Sequence, residues 1–471
     1  MKAIQYLEER FLLMAKEIIA LVYSNISFPA FQTKLSKELN SFGTDLCQLV
    51  LEAQDAFIKK NPKERKDWSV ERNGDAKTVI TLFGEMHYQR TYYKNKKTGE
   101  YAYLVDKLAG IKPHARKDLA TQAKLMDLAK DIPYQKAGQS IGVNNKECTL
   151  SGQTVMNAIR SAKLSPKDIK EEPKEKKQVK VLHIQADEDH VKSQKGRAFL
   201  TKLVYICEGY ASLGQRKELK NVHYIAGVYE DNEELCFEVL DYLSEHYQLD
   251  KVEKIFVYGD GALWIKQLVE YLPNSVFILD RFHVSKYVNT ASLGDKTLKR
   301  HFYKAIHCCD LSKLKMLIDQ AKTMAEDKKA KKRVAEAGTY FINNWDGICA
   351  WRFHEDQVIG CSAEGHVSHV LSARLSSRPM GWSKLGADQI AKLRAMAANG
   401  YTIPELVYKK YEAEMNSKMF IISEENIENV QQRLLKKVSG EVFGNLPVLD
   451  TKFSLTRQAI RGLSNGYYKL I

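Results

Sequence analysis

The chain has 471 residues, room for roughly two to four domains, and with 44% hydrophobic and 28% charged residues it can bury a sizeable core rather than remain broadly disordered. Its 72 Lys and Arg outnumber 58 Asp and Glu for a net charge of +14, which favours a polyanionic partner, nucleic acid first. No apolar run reaches the ~18–20 residues that span a bilayer, and eight scattered cysteines without CxxC or zinc-like spacing point to reduced thiols in a cytoplasmic protein.

In chain order, the stretch MKAIQYLEERFLLMAKEIIALVY breaks its apolar residues with Glu8, Glu9, Arg10 and Lys16 at helical spacing, which predicts an amphipathic helix and not a signal peptide. Residues 1–62 read as a helical region, with Leu35, Leu39, Phe42, Leu46, Leu49 and Val50 on one face. Residues 63–165 read as a β-hairpin followed by a helix-turn-helix. In the hairpin, Gly99 lies near the turn NKKTGE. Its tyrosines 88, 92, 93, 101 and 103 are first of all cross-strand pairs; interleaved with Arg90, Lys94, Lys96 and Lys97 they also suit a DNA backbone. Ala115–Lys130 predicts one helix, PYQKAGQSIG a second, and TLSGQTVMNAIRSAK a third with Ser151 as N-cap. That arrangement turns Gln153, Thr154, Asn157 and Arg160 toward a major groove, unless it is a helical hairpin with no DNA contact. Residues 166–178, dense in Lys and Glu with two prolines, are a charged linker.

From Val179 short apolar strands begin, and residues 179–288 with 356–400 predict an α/β core. Three antiparallel strands followed by alternating helix and strand give a mixed five-stranded sheet, the order of an RNase H-like core. Its first strand ends in Asp187, Glu188 and Asp189, three carboxylates with no adjacent Arg, which repel unless a cation or solvent relieves them. The strand IFVY ends in Asp260 between two glycines, and VFIL ends in Asp280, which equally suits the cap of the helix that follows. Asp187 and Asp260 converge if their strands are neighbours, and such hard oxygen donors suit Mg²⁺ or Mn²⁺. Residues 289–355 read as a basic helical insertion, whose basic face either holds DNA or is solvated. Residues 401–471 read as a C-terminal helical region without a chemical signal.

The segments IQADEDHV, VYGDGALWI, LDRFHVSKY and CSAEGHVSHVLSARLSSRPMGWS, in that order, resemble bacterial insertion-sequence DDE transposases of the Lre type, distant relatives of the Mutator-like transposases. The likeness covers nearly the whole chain; each segment alone is weak and the ordered set is fairly specific. It implies an RNase H-like fold with a helical insertion and a metal-binding, catalytic triad of Asp187, Asp260 and Glu364. Asp187 is preferred to Asp189 because the apolar Val191 follows it by four residues, where Asp189 has Ser193. The segment DRFH supplies Asp280 and His283, with His283 orienting the scissile phosphate or supporting a ligand. Glu364 opens a helix whose Arg374 and Arg378 reach phosphate. The resemblance further implies Mg²⁺ or Mn²⁺ as cofactor, double-stranded DNA (terminal repeats and target) as partner, a homo-oligomeric active complex and a nucleoid location. Competing readings are a stand-alone nuclease on the same core, a catalytically silent DNA-binding derivative, and a glycoside hydrolase with paired carboxylates, which leaves the basic charge unexplained.

Overall fold

Two long helices, α1 (Lys2–Val22) and α2 (Phe28–Lys60), open the chain in a computed structural model that describes residues 2–23, 26–141, 149–165, 175–213 and 216–415. The expected turn at 142–147, most of the linker at 166–178 and most of the C-terminal region lie outside those residues. The second half of α2 lies on the hairpin that follows. Asp55 accepts from Thr91 N at 3.0 Å and Thr91 Oγ1 at 2.6 Å, and Glu52 accepts from Gln89 N at 3.0 Å. None of the apolar stripe expected on α2 is fully buried: Leu35, Phe42, Leu46 and Leu49 are half-buried and Leu39 and Val50 are exposed, whereas the buried positions are Gly43, Leu51, Asp55 and Ile58.

Strands β1 (Trp68–Ile80), β2 (Glu85–Asn95) and β3 (Tyr101–Tyr103) form an antiparallel sheet in that order. NKKTGE is the turn between β2 and β3, with Gly99 at φ +74° and Asn95 Oδ1 accepting from Lys97 N and Thr98 N. The tyrosines are structural. Tyr88 and Tyr93 are fully buried, and Tyr92 packs on Tyr101 and Tyr103 with centroids 5.5 and 4.7 Å away. Arg72, Arg90 and Lys94 cover these rings.

Helices α3 (Leu104–Leu108), α4 (Leu119–Ala129), α5 (Tyr134–Ile141) and α6 (Gly152–Ala162) come next. Ser151 caps α6, its hydroxyl accepting from Thr154 N at 3.2 Å. The five-stranded mixed sheet follows as expected, formed by β4 (Val181–Val191), β5 (Phe199–Cys207), β8 (His223–Gly227), β9 (Lys254–Gly259) and β10 (Ser275–Leu279); β6 (Tyr210–Leu213) and β7 (Arg216–Leu219) make a separate hairpin. Its order is β10-β9-β4-β5-β8. The pairs β4–β5 and β5–β8 are antiparallel, and β4–β9 and β9–β10 are parallel.

Period-two alternation sends Leu182, Ile184 and Ala186 of β4 to one face, where α7 (Asn232–His246) and α8 (Leu263–Tyr271) cover them. The opposite face meets two sets of elements. Toward β9 and β10, Phe256, Tyr258 and Ile278 pack on α13 (Trp345–Phe353) and Ile359. Toward β5 and β8, Val191, Leu203 and Ala226 share one core with α4, α5, α6, α16 (Lys384–Ala398) and α17 (Ile403–Met415). The helices before residue 165 and the sheet after 179 are therefore packed together.

Helices α9 (Arg281–Ala291), α10 (Lys296–His307), α11 (Leu311–Met324) and α12 (Lys328–Asn343) enclose a core of their own around Val288, Phe302, Leu314, Val334 and Phe341. Asp295, Asp310 and Asp327 cap α10, α11 and α12 in turn, each accepting a backbone N–H three residues on. Among the described residues no helix is long and apolar enough to cross a membrane.

One glycine measures how tightly α5 is seated. A Cβ on Gly138 would stand 2.0 Å from the Leu150 carbonyl oxygen, and backbone has little room to yield. Gly138→Ala is therefore expected to destabilise the chain by about 1–3 kcal/mol, whereas Gly365→Ala, helical with open space around it, should be neutral or slightly stabilising. Urea unfolding of the full chain reads the difference; equal midpoints for both variants would contradict the packing described.

Candidate active site

Sheet register builds the site. In the parallel pairing of β4 and β9, Gln185 stands opposite Tyr258, so two residues further on Asp187 comes beside Asp260. In β9–β10, Leu279 stands opposite Gly259, which brings Asp280 to the other side of Asp260. The backbone N–H of Asp280 donates to Gly259 O at 2.8 Å and fixes that step. Asp260 and Asp280 thus directly follow the ends of β9 and β10, and Asp187, still inside β4, stands beside them just past the last parallel pair, the edge of an α/β sheet where side chains reach a ligand.

The three acidic residues closing β4 part company. The strand continues through Val191, so Asp187 and Asp189 share a face and Glu188 takes the other. Glu188 accepts from Trp264 Nε1 at 2.5 Å, beside Lys202, whose ammonium lies over the same indole. Asp189, 9% exposed, accepts from Ser376 Oγ at 2.9 Å, while its Oδ2 is buried with no hydrogen-bond partner. Asp187 Oδ1 accepts from Glu188 N at 2.8 Å. Burial, opposed by that hydrogen bond and reinforced by the Asp260 charge, pushes the Asp187 carboxyl up to about 6; His283 pulls it back down.

Asp260 sits in a tight turn. Gly261 takes φ +95°, and Asp260 Oδ1 accepts from Ala262 N at 2.9 Å. Asp280 does both things open to it. It caps α9, accepting from Phe282 N at 2.9 Å, and it is buried in the acidic cluster. Burial raises its carboxyl, the His283 charge and a hydrogen bond from the Cys361 thiol lower it, and the Glu364 charge raises it. Cys361 itself is pushed well up by burial and by Asp280.

Glu364 lies on the short helix α14 (Ala363–Val367), exposed, with its charge reaching Asp280. A polar network holds the segment before α14 against the sheet. Gln185, on the Asp187 face of β4, donates Nε2 to Gly360 O at 3.1 Å and accepts from Ser362 N at 2.7 Å; Tyr205 OH lies 2.8 Å from Ser362 Oγ. Asp187, Asp260, Asp280, His283, Cys361 and Glu364 are therefore linked electrostatically into one cluster. Among the described residues, no three Asp, Glu, His or Cys side chains form a ready-made metal-holding group. Cys361 and Gln185 were not singled out in the sequence. The one available signal was Gln185 at two residues before Asp187, hence on its face.

The residues expected to touch DNA divide differently. Gln153 and Asn157 are exposed on α6 and joined to each other, Nε2 to Oδ1 at 3.0 Å. Thr154 lies 3.0 Å from the Ser151 hydroxyl within the cap. Arg160 turns inward instead, donating Nη2 to Ser383 Oγ at 2.8 Å, because α16 packs against α6. Arg374, expected to reach phosphate, is 3% exposed; it donates to the Ala129 and Ile132 carbonyls at 3.1 and 3.0 Å and lies over Trp382 and Tyr134. It follows a π-helical turn, Ser368–Ser372, that carries the chain inward, and it closes the C-terminal end of α4. Arg378, three residues beyond α15 (Ala373–Leu375), is exposed.

A family model described as the uncharacterised protein family UPF0236 matches residues 21–412. A UPF0236 protein of Caldanaerobacter subterraneus subsp. tengcongensis, whose name joins eleven loci of that strain, is 39% identical over 417 residues, or 88% of this chain and 87% of its own length. A second protein of the same strain, whose name joins four loci, matches with the same identity and coverage. A UPF0236 protein of the vanSb 3′ region in Streptococcus gallolyticus is 28% identical over 350 residues, 71% of this chain and 75% of its own. A match over most of the chain at this identity is shared descent of the whole fold: the chain belongs to the UPF0236 family.

Proposed function

We propose that the chain is a metal-dependent DNA transposase of the DDE type, with the five-stranded sheet as an RNase H-like core. The observation that carries this reading is the register that sets Asp187 of β4 beside Asp260 at the end of β9, with Glu364 and His283 in the same electrostatic cluster. Multiple family loci within one genome are in keeping with a mobile element. The net charge of +14 suits double-stranded DNA as partner, with exposed Gln153, Asn157 and Arg378 available to it.

The donor set fits a hard divalent cation. Asp187 and Asp260 are all-oxygen donors whose mutual repulsion is offset only in part by His283, and an ion between them would relieve the charge that pushes Asp187 up. Asp187 and Asp260 would hold it, with Glu364 as third ligand. Bound Mg²⁺ or Mn²⁺ would supply Lewis-acid activation of water and neutralise charge on the leaving oxygen. The chain's own part is to fix the two carboxylates by sheet register and to offer His283 as a hydrogen-bond donor to a phosphate. In cleavage, a water oxygen bonds to phosphorus, the P–O3′ bond breaks, and the strand leaves with a 3′-hydroxyl. In transfer, that hydroxyl oxygen bonds to a target phosphorus as the target's own P–O bond breaks.

Two results are expected. Asp260→Asn removes one charge at constant size, so Mn²⁺-dependent cleavage of a terminal-repeat duplex should fall to background while a gel shift with the same duplex is unchanged. Wild-type cleavage by this variant would remove Asp260 from the chemistry, and nicking without joined products in the wild type would reduce the reading to a nuclease.

The second concerns pH. The folded Asp187 carboxyl, at about 6, binds its proton more tightly than an unfolded one near 3.8, so without divalent cation the protein loses stability as pH rises from about 4 to about 6. Asp187→Asn abolishes that loss. In EDTA it should be more stable than wild type above pH 6, by roughly 1–3 kcal/mol after allowing for partial exposure, and equal to it near pH 4. Denaturant melts across this range test the sign; a less stable variant at pH 7 would contradict the electrostatics.

A further inference from the structure

The helical segment between Asp260 and Glu364 returns to the Asp260 turn at one place. Tyr340, on α12, donates its hydroxyl to the backbone carbonyl of Asp260 at 2.6 Å. Its ring stacks on Tyr287 of α9, centroids 3.8 Å apart and planes 19° from parallel, and Tyr287 is one helical turn beyond His283. Asn344, 5% exposed at the junction of α12 and α13, donates Nδ2 to Tyr340 O at 2.9 Å. Its Oδ1 is buried without a hydrogen-bond partner and lies against Gly261, where an added Cβ would stand 2.4 Å away. From the other side, Lys266 of α8 donates Nζ to Asn343 O at 2.9 Å.

We propose that Tyr340, supported by Asn344, is a positioning residue for the Asp260 carboxylate; the inference rests on reading Asp187 and Asp260 as a cation-holding pair. An aspartate in a turn at a strand end is only as well placed as its own peptide. The Gly261 peptide has no side chain to wedge it, and Asp260 Oδ1 is anchored only two residues along, at Ala262 N. The Tyr340 hydroxyl fixes the carbonyl on the same residue, and Asn344 blocks the space into which Gly261 would swing. Through Tyr287 the same tyrosine is stacked on the helix that presents His283, so one side chain sets two members of the cluster relative to each other. Removing the hydroxyl leaves a half-buried carbonyl without its donor, and the peptide gains by turning toward water, carrying the carboxylate with it.

The full chain and three variants, Tyr340→Phe, Asn344→Ala and Asp260→Asn, are titrated with Mn²⁺ by calorimetry, bound to random duplex DNA in a gel shift, and melted in EDTA. Tyr340→Phe is expected to weaken Mn²⁺ binding about tenfold, in the range of other groups that orient ligands, with duplex affinity unchanged and a single cooperative melt. Asp260→Asn is expected to abolish Mn²⁺ binding. Should Tyr340→Phe not fold, Asn344→Ala serves the same comparison and is expected to weaken Mn²⁺ binding as well. A folded variant that melts earlier yet binds Mn²⁺ as the wild type does would overturn the positioning role and leave the Asp260 reading standing. A wild type whose Mn²⁺ binding does not depend on Asp260 would overturn both.

Discussion

Hydrogen bonding of β9 between β4 and β10, in parallel and in register, is the constraint from which the site follows. β9 and β10 are nearly continuous in apolar residues because both faces are covered, as parallel strands require. β9 and β10 run directly into Asp260 and Asp280, and the register sets Asp187, inside β4, at the same level. A one-residue slip of β9 would send Asp260 to the opposite face and leave Tyr258 unable to meet His183, its 2.9 Å partner within the sheet.

Gathering carboxylates this way costs free energy, and the surroundings show how the cost is spread. Glu188 is drawn off to Trp264 and Lys202 on the far face, Asp189 to Ser376, and Asp280 offsets its burial by capping α9. Asp187 has one backbone N–H and the charge of His283 to set against burial and Asp260. A buried carboxylate with so little set against it is the usual mark of a site whose stability is given up to function.

Elements remote in sequence keep this arrangement rigid. Gln185 binds the chain on both sides of Cys361 and so holds the approach to Glu364. Arg374 ties the helix after Glu364 to the C-terminal end of α4, and Arg394 does the same to Lys130 and Asp131. The N-terminal helices are thus a buttress for the sheet. Burying Arg374 among carbonyls and aromatic faces satisfies its donors without a direct ion pair, which explains why this arginine is not at the surface.

Alternation and helical spacing were enough to find the strands that carry Asp187 and lead into Asp260 and Asp280, the helices that follow the last two, and the caps at Ser151 and Asp280, because these are local matters of period and of backbone N–H supply. Local pattern also explains the misplaced residues. Leu39 and Val50 sit at good helical spacing on α2, but which half of a long helix is covered depends on where the hairpin lies. Arg160 and Arg374 read as surface cations because charge alone says nothing of a carbonyl or hydroxyl brought from more than 200 residues away. By itself the sequence determined which residues carry charge and at which strand ends. Only the tertiary structure decided that Asp187, Asp260 and Asp280 stand side by side, that Glu188 takes the opposite face while Asp189 is held by Ser376, and that Tyr340 reaches Asp260. Neighbouring strands are chosen by sheet order, and sheet order is a property of the packed whole.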